Sequence, residues 1–212
     1  MSRILDFEQG SPEWKAARAG KVTASKISDV MATLKGGGEA ATRRDYRIQI
    51  ISEILTGTPQ DDAFINDAMR WGKDNEPFGR AAYEITNGVM VDQVGLVLHP
   101  TIDRAAASPD GFVEFNGLVE IKCPKTATHL EYLMDGVVPA KYKNQMLWQM
   151  ACCEREWCDF VSFDPRMPAH LQLFKIRFER DDKRITEIEQ AVKTFLAEVD
   201  EVIAKLGTVA VA

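Results

Sequence analysis

The chain has 212 residues, is 45% hydrophobic, and carries a formal net charge of −6 with a pI near 5.2. That length can bury a core of its own and fits one domain, while no apolar run is long enough to cross a bilayer and the N-terminus lacks the apolar stretch of a signal peptide. The expectation is therefore a cytoplasmic protein without a membrane partner. The acidic balance argues against nucleic acid as a partner only on average, because net charge says nothing about one groove. Cys123, Cys152, Cys153 and Cys158 include an adjacent pair, which is a poor disulfide, and their spacing does not suit a four-cysteine metal cluster. They read as buried free thiols.

Ser11-Pro12-Glu13 opens a first helix, with a serine cap, proline at the first position and an acid at the positive end; Trp14, Ala17 and Arg18 form its stripe and Gly20 ends it. Thr23-Ala24-Ser25 begins a second, short helix holding Ile27, Val30 and Met31. Arg18, Lys21, Thr23, Ser25 and Lys26 gather at this junction, where hydroxyls and free N–H groups make either a phosphate pocket or an ordinary cap with solvated cations. Lys35 to Glu39 is a glycine-rich loop. Thr42 to Leu55 is an amphipathic helix with Tyr46, Ile50, Ile51, Ile54 and Leu55 inward, stopped by Gly57. Arg43, Arg44 and Arg47 near its start hint at a polyanion, since the helix dipole disfavours cations there.

Asn66 to Thr86 continues as helix, with Pro77 as a kink, Gly72 for close backbone approach and Asn87-Gly88 as the stop. Glu76 lies at its middle. Val89 to Leu98 reads as a strand pair or one bent strand, and Arg104 to Ala107 leads into a hairpin from Ser108 to Pro124. Asn116-Gly117 is the expected two-residue turn. Val113 and Phe115 enter it and Val119 and Ile121 leave it. Glu120 and Lys122, two apart, share a face, while Ile121 points into apolar packing. Asp110 on the facing strand completes an acidic edge. That edge suits a hard divalent cation with a phosphate oxygen, although a Glu-x-Lys strand is also a common solvated face.

Thr126 to Leu133 is a short helix closed by Asp135-Gly136, and Pro139 to Cys153 is a longer one with Tyr142, Gln145 and Gln149 near one face. Trp157 to Phe163 and Leu171 to Phe178 are strands joined through Asp164-Pro165-Arg166. Asp181 caps a last helix to about Leu206 with the stripe Ile185, Ile188, Val192, Phe195, Leu196, Val199 and Ile203; the tail to Ala212 frays. The order gives an α/β fold bordering on α+β, with a central mixed sheet flanked by helices. It is expected as a single domain over 1–212, its helical part, about 1–88, packed on a core of about 89–206.

Pro109-Asp110 with Glu120-Ile121-Lys122 looks like the PD-(D/E)xK nuclease signature. Separate stretches in order, Trp14 with Arg18 to Ser25, Trp71-Gly72-Lys73 with Glu76, Ser108 to Gly111, Glu120 to Pro124, Tyr142 with Gln145, and Asp164 to Met167, together resemble the phage lambda-type exonucleases, in the viral-recombinase group of PD-(D/E)xK nucleases. The resemblance runs from about Gln9 to Arg180.

It implies a restriction-endonuclease-like core and a 5′→3′ exonuclease that degrades one strand of linear duplex DNA processively from a 5′-phosphorylated end. Mononucleotides would be released and a 3′ overhang left. Asp110, Glu120 and the backbone carbonyl of Ile121 would hold Mg²⁺ or Mn²⁺, two ions per site, with Glu76 acting through metal-bound water. Lys122 would orient or deprotonate the attacking water, its pKa lowered by the cation, and Gln145 and Tyr142 would contact the scissile strand. Arg18, Ser25 and Ser108 would hold the 5′-phosphate. Thr23 and Lys125 would contact DNA, and Met69 would wedge the end base pair. The family implies a homotrimeric ring around DNA, a single-strand annealing protein as partner, and a phage or prophage protein in a bacterial cytoplasm. Thr128 stands where the family has an arginine that grips DNA. A structure-selective or restriction-like endonuclease, and a non-catalytic DNA-end-binding recombination scaffold, are the competing readings. The full acidic set with Lys122 argues against the scaffold.

Overall fold

Strand β7 (Gly117–Lys122) organises the structure, a computed structural model that describes residues 3–34, 36–60 and 67–207. Expectations resting on Lys35, Asn66 and the tail beyond Gly207 lie outside these residues. Positions 117 to 121 of β7 are all buried, although Glu120 is among them, because the strand has a neighbour on each side. Those neighbours are β6 (Gly111–Val113), antiparallel, and β8 (Trp157–Phe163), parallel. The sheet is completed by β3 (Val91–Asp92) on β6 and β9 (Leu173–Glu179) on β8, in the order β3-β6-β7-β8-β9. A parallel pair needs a crossover, supplied by α5 (Thr126–Asp135) and α6 (Ala140–Cys153).

A second sheet was not expected. β1 (Ile4–Leu5), β4 (Leu96–Leu98), β5 (Ala105–Ala107) and β2 (Val22–Thr23) form it in that order, also mixed. The span from Val89 to Leu98 thus divides between two sheets. Gly95 sits at the division, where a Cβ would lie 2.4 Å from the carbonyl oxygens of Leu5 and Phe7. Only glycine lets the N-terminal strand pass so close.

Helix α1 (Pro12–Arg18) starts at Ser11, whose side chain accepts from the Trp14 N–H. α2 (Ile27–Val30) follows a 3-10 turn over Ala24–Lys26. α3 (Ala41–Thr56), α6 and α7 (Asp182–Gly207) pack around one core that includes Ile27, Ile50, Met146, Trp148, Phe160, Ile188 and Phe195. α4 (Asp67–Asn87) covers the other face of the β7 sheet with Tyr83 against Val119, Ile121, Val161 and Phe163. It runs through Pro77 without ending. Its close approach uses Gly79, not Gly72: a Cβ at Gly79 would lie 3.0 Å from Ile121, and one at Gly72 would meet no atom within 4 Å.

Other expectations change. The hairpin turn is Glu114-Phe115-Asn116, not Asn116-Gly117: Val113 pairs with Gly117, and the left-handed residue is Glu114 with φ 52°. Phe115 is 93% exposed rather than on a strand. Gly117 is needed for another reason, since a Cβ there would lie 2.1 Å from the Trp157 indole. Leu55 is 55% exposed. Arg43 and Arg47 do not await a polyanion. Arg43 donates to both Glu198 oxygens at 2.7 and 2.9 Å, and Arg47 to Glu39 and Glu198, which ties α3 to α7. Arg44 pairs with Asp45. All four cysteines are free thiols and three are buried.

Candidate active site

Pairing between β6 and β7 ends at Gly111 opposite Val119. Asp110, one residue earlier, swings to the open edge of β7, and its Oδ2 accepts from the Ile121 N–H at 2.6 Å. A strand residue turns its N–H and C=O toward the same edge, so the Ile121 carbonyl faces the Asp110 side as well. Glu120 and Lys122 leave β7 on one face, and the Lys122 ammonium contacts Glu120 Oε1. Helix α6 brings two amides to the same carboxylate. Gln145 donates to Glu120 Oε1 at 2.5 Å and Gln149 to Oε2 at 2.6 Å. Their i,i+4 spacing aims both at one target.

The electrostatics follow from crowding. Burial raises the Asp110 carboxyl well above its ordinary value, and the charges of Glu120 and Glu76 add to the rise, against Lys122 and the Ile121 N–H. Burial alone lowers the Lys122 ammonium, but Glu120 and Asp110 outweigh it and raise its pKa. The lowering expected at Lys122 is the effect of a bound cation, which would oppose these two attractions. Burial, with Glu76 and Asp110, pushes the Cys123 thiol up to about 12. The charges of Glu120 and Glu76 are thus both felt at Asp110.

Glu76 and Lys122 line one cleft of about 580 Å³, with Met69, Gly72, Ile121 and Tyr142 among its walls. Arg80 donates to Glu76 Oε1 at 3.1 Å. The Tyr142 ring lies 5.5 Å from the Lys122 ammonium and stacks on Phe160. Among the described residues no three His, Cys, Asp or Glu side chains form a metal-holding group by themselves. The donor set of Asp110, Glu120 and the Ile121 carbonyl is all oxygen, and its carboxylates are crowded enough to raise Asp110. That chemistry fits a hard divalent cation.

Arg18, Thr23 and Ser25 line a separate cavity of about 150 Å³ with Lys15, Lys21 and Lys26. Burial lowers the Lys21 ammonium. One carboxylate also borders the cavity: Glu53 accepts from the Gly20 N–H at 2.7 Å. Arg18 lies 4.0 Å over the Trp14 ring and donates to Thr23 Oγ1 at 3.3 Å. Trp14 Nε1 donates to Ser108 Oγ at 3.0 Å. Ser108 is therefore joined to Arg18 through Trp14, two residues before Asp110.

Met69 is 56% exposed on the cleft wall, not a core residue. Lys125 precedes α5 and lines a smaller hollow with Trp71 and Arg166. Thr128 is half-buried within α5. Arg166 stacks 4.2 Å over Trp71 and donates to both Asp164 oxygens at 2.8 and 2.9 Å. Helical spacing puts Gln149 on the face of Tyr142 and Gln145, but no motif marks it as a site residue; the structure adds it, on Glu120 Oε2. Its signal was a glutamine one turn from Gln145 amid apolar neighbours.

A family model for the YqaJ-like viral recombinase domain matches residues 13–156, and the chain belongs to that family. It is similar, at 49% identity and a TM-score of 0.86, to a crystal structure of an alkaline exonuclease, LHK-Exo, from Laribacter hongkongensis, over 93% of this chain and 96% of that one. The same enzyme in complex with dAMP matches at 48% identity and a TM-score of 0.86, over 92% and 96%. A phage related exonuclease from Haemophilus somnus shares the fold, with 16% identity, a TM-score of 0.69 and coverage of 88% and 96%. An uncharacterized protein of Acanthamoeba polyphaga mimivirus is 26% identical over 174 residues, which is 76% of this chain. The match takes in 30% of that relative's length.

Proposed function

We propose that the chain is a divalent-cation-dependent exodeoxyribonuclease. It removes mononucleotides 5′→3′ from one strand of a linear duplex, starting at a 5′-phosphorylated end, and leaves a 3′ overhang for annealing-type recombination. The observation that carries this reading is the junction of Asp110, Glu120 and Lys122 at one strand edge, with Gln145 on Glu120 and Glu76 on the same cleft. The likeness to an alkaline exonuclease seen with dAMP supports the class of substrate.

Asp110, Glu120 and the Ile121 carbonyl would hold Mg²⁺ or Mn²⁺, two ions in this reading. Bound there, the ions supply Lewis acidity and steady the charge on the attacking and leaving oxygens. Lys122, in contact with Glu120, orients the attacking water and balances charge at the phosphate. Glu76 accepts the proton lost by that water. The water oxygen bonds to phosphorus as the P–O3′ bond breaks, so the 3′ oxygen leaves on the released nucleotide. The phosphate stays on the 5′ end of the shortened strand. That is the group the cavity of Arg18 and Ser25, with Ser108 behind Trp14, would take in the next round. Lys125 and Met69, both exposed, would touch the incoming duplex, while Thr23, 6% exposed, would act by holding Arg18 through its Oγ1. Tyr142 and Gln145 flank the scissile strand.

Digestion of a linear duplex labelled separately at each end of each strand, with and without 5′-phosphate, tests this. Loss of the 5′ label first, faster with phosphate, is the expected result; loss from the 3′ end overturns the polarity. The same reading includes a homotrimeric ring, which sedimentation measures directly, and a single-strand annealing protein as partner.

A further inference from the structure

We infer that Gln149 is a positioning residue for Glu120: it locks Oε2 of the carboxylate inside the protein and leaves Oε1 as the one oxygen available to a cation. The inference rests on the cation-binding reading given above. Glu120 is 1% exposed, yet its two oxygens face different surroundings. Oε1 meets Lys122, which lines the cleft, and the half-buried Gln145. Oε2 meets Gln149, which is 0% exposed.

Residues Met146 to Cys152 of α6 are all buried, and Gln149 is the polar side chain among them. An apolar residue would pack there without leaving a polar atom alone. Gln149 Oε1 is indeed buried without a hydrogen-bond partner. Reversing the amide would turn that oxygen onto the carboxylate, so the N–H must face Glu120. The position tolerates one unsatisfied carbonyl in order to keep a donor on Oε2.

The consequence is a division of labour between two glutamines one turn apart. Lys122 approaches from the cleft and Gln145 is half-buried rather than enclosed, so both can yield Oε1. Gln149 has no room to withdraw, and so holds the carboxylate plane still while the ligand changes on the other oxygen. A carboxylate held this way binds a cation through one oxygen with its orientation already set.

The experiment is calorimetric titration of Mn²⁺ into the full chain without DNA, alongside thermal melting. Gln149→Met keeps the bulk and removes the donor; Gln149→Asn keeps an amide but draws it back by one methylene. Both are expected to weaken Mn²⁺ binding roughly 10- to 100-fold, the range for second-sphere partners of metal ligands, and to raise the Mn²⁺ concentration needed for nucleotide release. Met150→Ala, which empties a neighbouring core position, is expected to lower the melting temperature and leave Mn²⁺ affinity unchanged. Wild-type Mn²⁺ affinity in either Gln149 variant overturns the role of Gln149 alone. If one variant does not fold, the other decides. No Mn²⁺ binding by the unsubstituted chain overturns the cation reading and this inference with it.

Discussion

Glu120 keeps three donors on two oxygens, and its removal strands all of them. Glu120→Ala leaves Lys122, Gln145 and Gln149 without their acceptor and takes away a proposed cation ligand. Lys122→Ala removes the charge that offsets Asp110 and Glu120. Each is expected to lower nucleotide release by at least about 100-fold, the scale of a positioned catalytic group, with circular dichroism unchanged. Full activity in a folded Lys122→Ala protein would refute the proposed mechanism. A second residue gives a pH signature away from the cleft. Burial pushes the Asp164 carboxyl up, but hydrogen bonds from Arg166 and Thr126 outweigh it and hold it at about 2, below the ordinary 3.8. The carboxylate therefore adds stability that is whole above pH 3.8 and lost as pH falls toward 2. Asp164→Asn is expected to be less stable near neutrality and to flatten the fall in urea midpoint between pH 4 and 2.

Elements reach the site through close contacts that spacing alone does not reveal. Gly79 sets how near α4 lies to β7, and α4 carries Glu76. Gly79→Ala would press a methyl to 3.0 Å from Ile121 and 3.2 Å from the Phe163 Cβ, so α4 must shift by tenths of an ångström. A greater fractional loss of nucleotide release than of thermal stability is expected, because Glu76 moves with the helix. Gly117→Val, by contrast, would drive a side chain into Trp157 and is expected to destabilise by about 1–3 kcal/mol through overpacking, measured by denaturant unfolding. If Gly117→Val proved as stable as the parent, the packing account of that glycine would fail. Asn116-Gly117 predicts a turn at this glycine, since Asn-Gly is the strongest short-range hairpin signal. In the structure Gly117 is a strand residue, paired with Val113 on one side and with Trp157, forty residues away, on the other, so the turn falls earlier.

At the scale of the whole molecule, an acidic chain can still offer a cationic hollow. Lys15, Arg18, Lys21 and Lys26 surround one cavity, Lys26 also pairing with Asp29, and Arg43, Arg47 and Arg104 pair with Glu198, Glu39 and Asp200 away from it. Arg18→Ala is expected to remove most of the advantage of a 5′-phosphorylated over a 5′-hydroxyl end, with the rate on hydroxyl ends little changed. Closed circular duplex is expected to remain intact under conditions that consume the linear form. Nicks in the circle would favour the endonuclease reading instead.

Local chemistry fixed much of this protein in advance. Caps at Ser11 and Asp181, the stops at Gly57, Gly88 and Gly136, the stripe of α7 and the shared face of Glu120 and Lys122 depend on neighbours within a turn or two, so they are legible in sequence. The PD-(D/E)xK pattern is legible for the same reason, because period-two alternation puts its acid and lysine on one side. Tertiary structure alone decided what meets across the chain. It split Val89 to Leu98 between two sheets, because residues 5 to 7 cross at Gly95. It turned Arg43 and Arg47 inward to Glu198, gave close packing to Gly79 rather than Gly72, and set Gln149 beneath Glu120. Each of these depends on a partner roughly thirty to one hundred and fifty residues away, and no periodicity within one segment encodes where such a partner will stand.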